Sequence, residues 1–415
     1  MEHGNSKIKP LSIKKNSMWN AIGSIVYALT QWGVLMTIAK LGNPEMVGIF
    51  TLGLALTAPI VLLMRFNLRV AVASDSNSDF QFSEYFSSRV IATVVFLITM
   101  SVVSILYSSD YNTALVILIL SFAKSIESIS DILHGQMQKH ERLDMTAKSQ
   151  IIKGLLSLGI FAYLMYITGN LVLSTLGFMV SWLLILIVYD FKNVCLFGEI
   201  TFTFNKQQQL RLLKLTIPLG LAQLIASLNA NVPRYFIESV HGAETLGFFA
   251  AIIYITTAGN NIIMAIGGAT IPRLSRFYQQ KNIRDYVKLI TAFLLLIVLG
   301  GIVALVIVKS FGGKILGLLY TPEYVIYTSE FFLFMLVGVI MYIGKFLETG
   351  LTATRKFSIQ PYINILILLI ILTLSYMLIP RYGLAGAGYT LLIAEVVQVI
   401  IRGGILTYLL KQRYV

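Results

Sequence analysis

Charge is what this chain has least of. Only 12% of its 415 residues are Asp, Glu, Lys or Arg, while 57% are hydrophobic, and the mean hydropathy is +0.79. Soluble domains carry about 25% charged residues, so a soluble enzyme is excluded and a polytopic membrane protein is expected. Cysteine is almost absent. One residue, Cys195, leaves no internal disulfide and no multi-cysteine metal site. There are four histidines, three of them (His3, His134 and His140) in polar flanks, which argues against a histidine-based site. No GxxxxGK[ST] motif occurs, so ATP hydrolysis at a P-loop is not expected, nor is any resident cofactor or metal.

What charge there is leans positive, with 32 Lys and Arg against 19 Asp and Glu. These cations are spread thinly over many short loops, the pattern of a membrane protein's basic side rather than of a nucleic-acid surface. Apolar windows of about 20 residues fall at 18–40, 46–64, 88–107, 113–134, 147–167 and 171–190. A second set falls at 213–236, 245–266, 288–308, 328–347, 358–379 and 383–409. Twelve transmembrane helices result. The basic N-terminal segment with Lys7, Lys9, Lys14 and Lys15 lies on the same side as Arg89, Lys139, Arg142, Lys148, Lys192, Arg273 and Arg413. Both termini are therefore expected in the cytoplasm.

The chain repeats itself. "AKLGNPEMVGIFTLGLAL" (39–56) aligns with "ESVHGAETLGFFAAIIYI" (238–255), pairing Glu45 with Glu244, Gly48 with Gly247 and Phe50 with Phe249. A fainter match sets "TGNLVLSTLGFMVSWLL" beside "YGLAGAGYTLLIAEVVQ". An even number of spans per half gives two six-helix lobes related by an axis along the membrane normal. The expected division is an N-terminal lobe over 1–190, a cytoplasmic linker over 191–212 and a C-terminal lobe over 213–415.

The exception to the shortage of charge is "FAKSIESISDILHGQMQKHERL" (122–143), which places Lys124, Glu127 and Asp131 in an apolar span. A charge near the bilayer centre costs roughly 2.5–3.5 kcal/mol on insertion scales. The three residues are spaced i, i+3, i+7 and so share one helical stripe with Gln138, opposite Ile126, Ile129 and Leu133. Two arrangements fit. Lys124 pairs with Glu127 while Asp131 reaches for the surface, or the stripe walls a hydrated cavity in which Lys124 receives an anion and the carboxylates share a proton. Arg65 and Arg69, spaced i, i+4, are either interfacial anchors or phosphate contacts. Arg234 either pairs with Glu238 or meets an anion. Lys345 and Glu348, spaced i, i+3, read in the same way as Arg234 and Glu238, while Glu395 and Arg402 read as a structural tie to another helix. Trp19 and Trp182 read as interfacial belt residues.

The opening "KNSMWNAIGSIVYALTQWGVLMTIAKLGNPEMVGIFTLGLALTAPIVLLMRFNLRVAVASD", the segment "AKSIESISDILHGQMQKHERLDMTAKSQIIKG" and "YGLAGAGYTLLIAE" resemble Wzx-type polysaccharide flippases. These belong to the multidrug/oligosaccharidyl-lipid/polysaccharide (MOP) exporter superfamily. The resemblance implies an all-α, MATE-like, V-shaped pair of lobes in the bacterial inner membrane. It implies a non-enzymatic protein that moves undecaprenyl-diphosphate-linked glycan between leaflets by alternating access, for O-antigen or capsule. On that reading Lys124 is the foremost phosphate ligand, Arg65 and Arg69 meet the headgroup at its entry, and Arg234 is nearer the exit. Glu127 and Asp131 are candidates for coupling to a proton or sodium gradient. Partners are the lipid-linked glycan, membrane lipids and a polymerase, with no nucleic acid. Twelve spans, without the additional pair of the lipid II flippases, argue against a peptidoglycan precursor. The alternative is a cation-coupled antiporter on the same fold, which would favour an acidic cavity. A glycan polymerase, ligase or acyltransferase is disfavoured by the lack of a large external loop and of a mid-span histidine.

Overall fold

The computed structural model describes residues 9–75, 79–107, 110–356 and 359–414. His3 and Lys7 lie outside the described residues, as do the side chains of Asn261 and Arg413. Helices account for nearly everything described, and ten of them are long and apolar enough to cross a membrane. In lipid a spanning backbone must satisfy its own N–H and C=O groups, which a helix does internally.

The chain divides into two compact units, Met1–Leu228 and Asn229–Val415. In the first, the helices are α1 (Ile13–Leu41), α2 (Pro44–Arg65), α3 (Leu68–Ser74), α4 (Phe82–Tyr107), α5 (Tyr111–Lys139), α6 (Leu143–Thr168) and α7 (Leu171–Ile185). Their starts are set locally. Asn43, Asp110 and Asn170 each cap a helix by accepting a hydrogen bond from the backbone N–H three residues on, at 2.8, 2.8 and 3.1 Å. Between α1 and α6 the backbones lie close: a Cβ on Gly23 would come within 2.7 Å of Ala147 Cα. Small residues at helix contacts are how membrane helices gain packing without a hydrophobic driving force.

α7 continues through a π-helical turn, Leu186–Phe191, and a short α8, Lys192–Val194. The remaining helices are α9 (Lys206–Gln279), α10 (Ile283–Leu319), α11 (Thr328–Ala353) and α12 (Gln360–Tyr414). α9 has 74 residues, about 110 Å of helix at 1.5 Å per residue, against a hydrocarbon core of about 30 Å. It is broken at Gly242 (φ 82°), and α12 is broken at Gly383 (φ 55°). The first break falls in the gap between the apolar windows 213–236 and 245–266, and the second at the first residue of the window 383–409.

The internal repeat has structural counterparts. Gly169 (φ 59°) and Gly383 (φ 55°), aligned in the fainter match, both hold positive φ ahead of the last span of each half. Phe50 and Phe249, aligned in the stronger one, are both buried. Each packs edge-on to another phenylalanine, Phe161 at 5.8 Å and Phe334 at 5.3 Å.

Candidate functional site

The stripe on α5 gathers basic groups from three neighbouring helices. Arg65 closes α2. The chain then turns through Phe66 (φ 47°) and Asn67 (φ 51°), and α3 carries Arg69. Left-handed backbone is costly for a bulky residue. Here it redirects the chain so that the two arginines, spaced as neighbours on one helix, come from two. Arg65 Nη2 reaches Glu127 Oε2 at 3.0 Å, and Arg69 Nη1 reaches Asp131 Oδ1 at 3.6 Å. Arg69 Nε also donates to Gln138 Oε1 at 3.2 Å.

Glu127 holds two further donors, Lys124 Nζ at 3.0 Å and the Tyr27 hydroxyl of α1 at 3.2 Å. The Lys124 ammonium also sits 5.2 Å from the centroid of the Trp182 ring. Trp182 is not the interfacial residue expected of it. It is fully buried, its ring tilted against Phe178 with centroids 4.6 Å apart.

Asp131 does not reach for the surface. Arg89 of α4, read from the sequence as a loop cation, is 0% exposed and donates from Nη2 to Asp131 Oδ2 at 3.2 Å and from Nη1 to Ser128 Oγ at 3.1 Å. Burial without pairing would be prohibitive for a guanidinium, so Asp131 and Arg89 require each other.

A second knot lies one turn along. Asp190, on the π turn after α7, accepts from Ser130 Oγ at 2.7 Å and from Lys153 Nζ of α6 at 3.4 Å. His134 Nε2 lies 3.2 Å from Asp190 Oδ1 and 3.2 Å from Ser149 Oγ. Asp190, Lys153 and His134 are all buried. This corrects the placing of His134 in a polar flank: the sequence around it is polar because that face of α5 is a polar interior. Lys153 and Asp190 stand alone among apolar neighbours, and only the direction they point makes them part of a site. A π turn at a functional position is a frequent device.

Together, Lys124, Arg65, Arg69, Arg89 and Lys153 oppose Glu127, Asp131 and Asp190, an excess of two positive charges. The cluster borders a small, partly open cavity of about 50 Å³ lined by Tyr27, Arg65, Arg69, Glu127, Asp131 and Lys153, among others. Lys124 is beside the cavity rather than in its wall. Gln150 Oε1 and Arg65 Nε are buried there without a hydrogen-bond partner. Polar atoms left so in a native interior point to a bound group or water.

Arg234 belongs to the second unit, where Nη1 donates to Asn231 Oδ1 at 3.2 Å. In that unit Glu348 Oε2 accepts from Lys345 and from Arg402, each at 3.1 Å. The tie between α11 and α12 thus runs from Arg402 to Glu348, and Glu395 Oε2 has no hydrogen-bond partner. Among the described residues no group of His, Cys, Asp and Glu is arranged to hold a metal.

Ten long apolar helices with a charged cluster among them make a multi-pass membrane protein. Solved structures share the fold. A multidrug-resistance MATE family transporter of the MOP superfamily superposes with a TM-score of 0.76 at 13% identity, over 93% of this chain and 96% of that one. The lipid II flippase MurJ gives 0.75 at 12% identity, over 96% and 90%. The chain belongs to the polysaccharide biosynthesis protein family, whose profile matches residues 13–278. It is 29% identical over 395 residues to the capsular polysaccharide biosynthesis protein CapF of Staphylococcus aureus, covering 93% of this chain and 97% of that one. It is 22% identical over 404 residues to a putative O-antigen transporter of Shigella flexneri, covering 91% and 93%.

Proposed function

We propose that this protein flips a polyprenyl-diphosphate-linked oligosaccharide across the bacterial cytoplasmic membrane during assembly of a capsule or O-antigen. The relatives are named for capsule synthesis and O-antigen transport, and one fold neighbour is a lipid II flippase. The observation that carries the reading is the excess of two positive charges in the buried cluster. A diphosphate diester bears two negative charges, and in a medium of low dielectric their neutralisation decides whether the headgroup can enter.

Arg65, Arg69 and Lys153, which line the cavity, are the proposed phosphate ligands. Guanidinium groups suit phosphate through paired, charge-assisted bonds. Lys124 stands beside them, and Arg234, in the second unit, is a further proposed phosphate contact. The carboxylates hold the cations in place until phosphate takes over. Glu127 and Asp131 each bind more than one cation, so a proton or sodium ion arriving there would free basic groups for the substrate. That is the proposed route to coupling, with no catalysis and no resident cofactor. We also assign twelve crossings, two lobes alternating in access, and both termini to the cytoplasm, with a polymerase as downstream partner. A cationic cavity disfavours an exporter of cationic drugs.

The test is transbilayer movement of a labelled undecaprenyl-diphosphate oligosaccharide in proteoliposomes. Removing one charged hydrogen bond is worth about 1.5–3 kcal/mol, or roughly 10- to 150-fold. Lys153→Ala and Arg65→Ala should each slow movement by at least about tenfold while Arg355→Ala does not. A well-folded native protein that moves no such lipid, with several glycans tried, would sink the proposal.

A further inference from the structure

The stretch "GEITFTFN" (198–205) lies between two candidate spans, which end at Phe197 and resume at Lys206. Lipid-facing helices therefore do not account for its apolar side chains. Yet Phe202 is 58% exposed and Phe204 64% exposed. Two bare phenylalanines within three residues of a connecting segment form the kind of apolar patch that marks an interaction surface rather than an ordinary solvated loop.

The segment is held by one side only. Phe197 and Ile200 pack against the core that contains Leu68, Leu133 and Leu186. The Thr203 N–H donates to Ser87 Oγ at the start of α4, at 2.9 Å, and Gln209 Nε2 donates to the Glu84 carbonyl at 3.0 Å. Phe197 is also stacked on His140 at 4.5 Å. Anchored in this way, the chain leaves Phe202 and Phe204 facing outward.

What covers them follows from their surroundings. On one flank the π turn after α7 presents Ile187 and Val188, and on the other α9 presents Leu210 and Leu215, all four exposed. In a spanning bundle such faces meet lipid, so both ends of the segment are fixed at a bilayer boundary. Between and beside them along the chain sit Lys192, Lys206, Arg211 and Lys214 against Glu199 and the buried Asp190, with Asp75 and Asp79 beside Leu215. Apolar side chains interleaved with cations make an interfacial anchor for anionic phospholipid.

We propose that residues 198–205 lie in the membrane interface, with Phe202 and Phe204 inserted among acyl chains and the flanking cations on anionic headgroups. The connection between the two halves of the chain is thereby tethered to the bilayer surface. This inference needs only the membrane-spanning fold and is independent of the transport reading.

The test uses the full-length protein with Cys195→Ser as background, in nanodiscs of neutral phosphatidylcholine or of a mixture with anionic phosphatidylglycerol. Spin labels are placed singly through Phe202→Cys, Phe204→Cys and, as a control, Thr201→Cys. Labels at 202 and 204 should be relaxed more by oxygen, which concentrates in lipid, than by a water-soluble nickel chelate, and the control should show the reverse. Immersion should deepen with anionic lipid and shrink at high salt. Equal access of nickel to all three labels in both lipids would overturn the proposal. Shielding of 202 and 204 from both reagents would overturn it too, since a protein surface would then be the cover.

Discussion

Arg89 makes the strongest case at the scale of single residues, because a guanidinium with no exposed surface is tied by Asp131 and Ser128. Removing one partner of a buried pair strands the other and costs about 3–5 kcal/mol, whereas replacing both by apolar groups is often neutral. Asp131→Ala should therefore lower thermal stability in detergent markedly, and Arg89→Met with Asp131→Leu should recover most of the loss. Failure of the double variant to recover would mean that Arg69 depends on Asp131 as well. His140 offers a pH test outside the spans. Burial first, and then neighbouring Lys139, holds its pKa below the ordinary 6.5. The neutral ring stacked on Phe197 is thus favoured by folding. Its contribution is complete above pH 6.5, where the unfolded ring is also neutral, and is lost as pH falls through the depressed value. His140→Phe should flatten the acid side of the stability profile, and a profile unchanged by the substitution would remove the ring from that account. The stripe of Lys124, Glu127, Asp131 and Gln138 was legible from spacing alone. Lys153 and Asp190 were not, since a lone charge at a span's edge looks the same whether it faces water or a partner.

At the scale of elements, the breaks in the backbone matter more than the helices. Gly169 and Gly383 hold positive φ, and a Cβ would meet nothing within 4 Å at the first and only His241 Nε2 at 3.9 Å at the second. Any penalty on substitution is therefore conformational. Gly169→Ala should cost about 1–2 kcal/mol in thermal unfolding, and Gly169→Asn less, because asparagine tolerates the left-handed region. Equal losses for the two would point to packing instead. The repeat that aligns these glycines was visible in the sequence. The turn at Phe66 and Asn67 was not. Neither residue announces left-handed backbone with the clarity of glycine, so Arg65 and Arg69 read as one helix face when they stand on two helices.

For the whole molecule, the proposed fit between an excess of two positive charges and a diphosphate has a thermodynamic consequence. A ligand that binds only the folded protein stabilises it by about 2.7 kcal/mol at one hundred times its Kd. Undecaprenyl diphosphate should raise the melting temperature of the purified protein, undecaprenol should not, and Lys153→Ala should diminish the shift. A shift equal for the alcohol and the diphosphate would assign the effect to the lipid chain and leave the cationic cavity without its ligand.

Hydropathy, internal similarity and spacing were enough to show that the chain crosses a membrane many times, that its two halves resemble each other, and that one span carries charge on a single stripe. Hydropathy and helical periodicity are local properties, summed along the chain, and need no neighbour to be read. Which charges neutralise which was decided only by tertiary structure. Arg65, Arg69, Arg89, Lys153 and Asp190 come from α2, α3, α4, α6 and the turn after α7. Only packing against α5 brings them within hydrogen-bonding or ion-pair distance of one another's partners. In a low-dielectric interior that proximity, and not composition, sets the energy of every one of those charges.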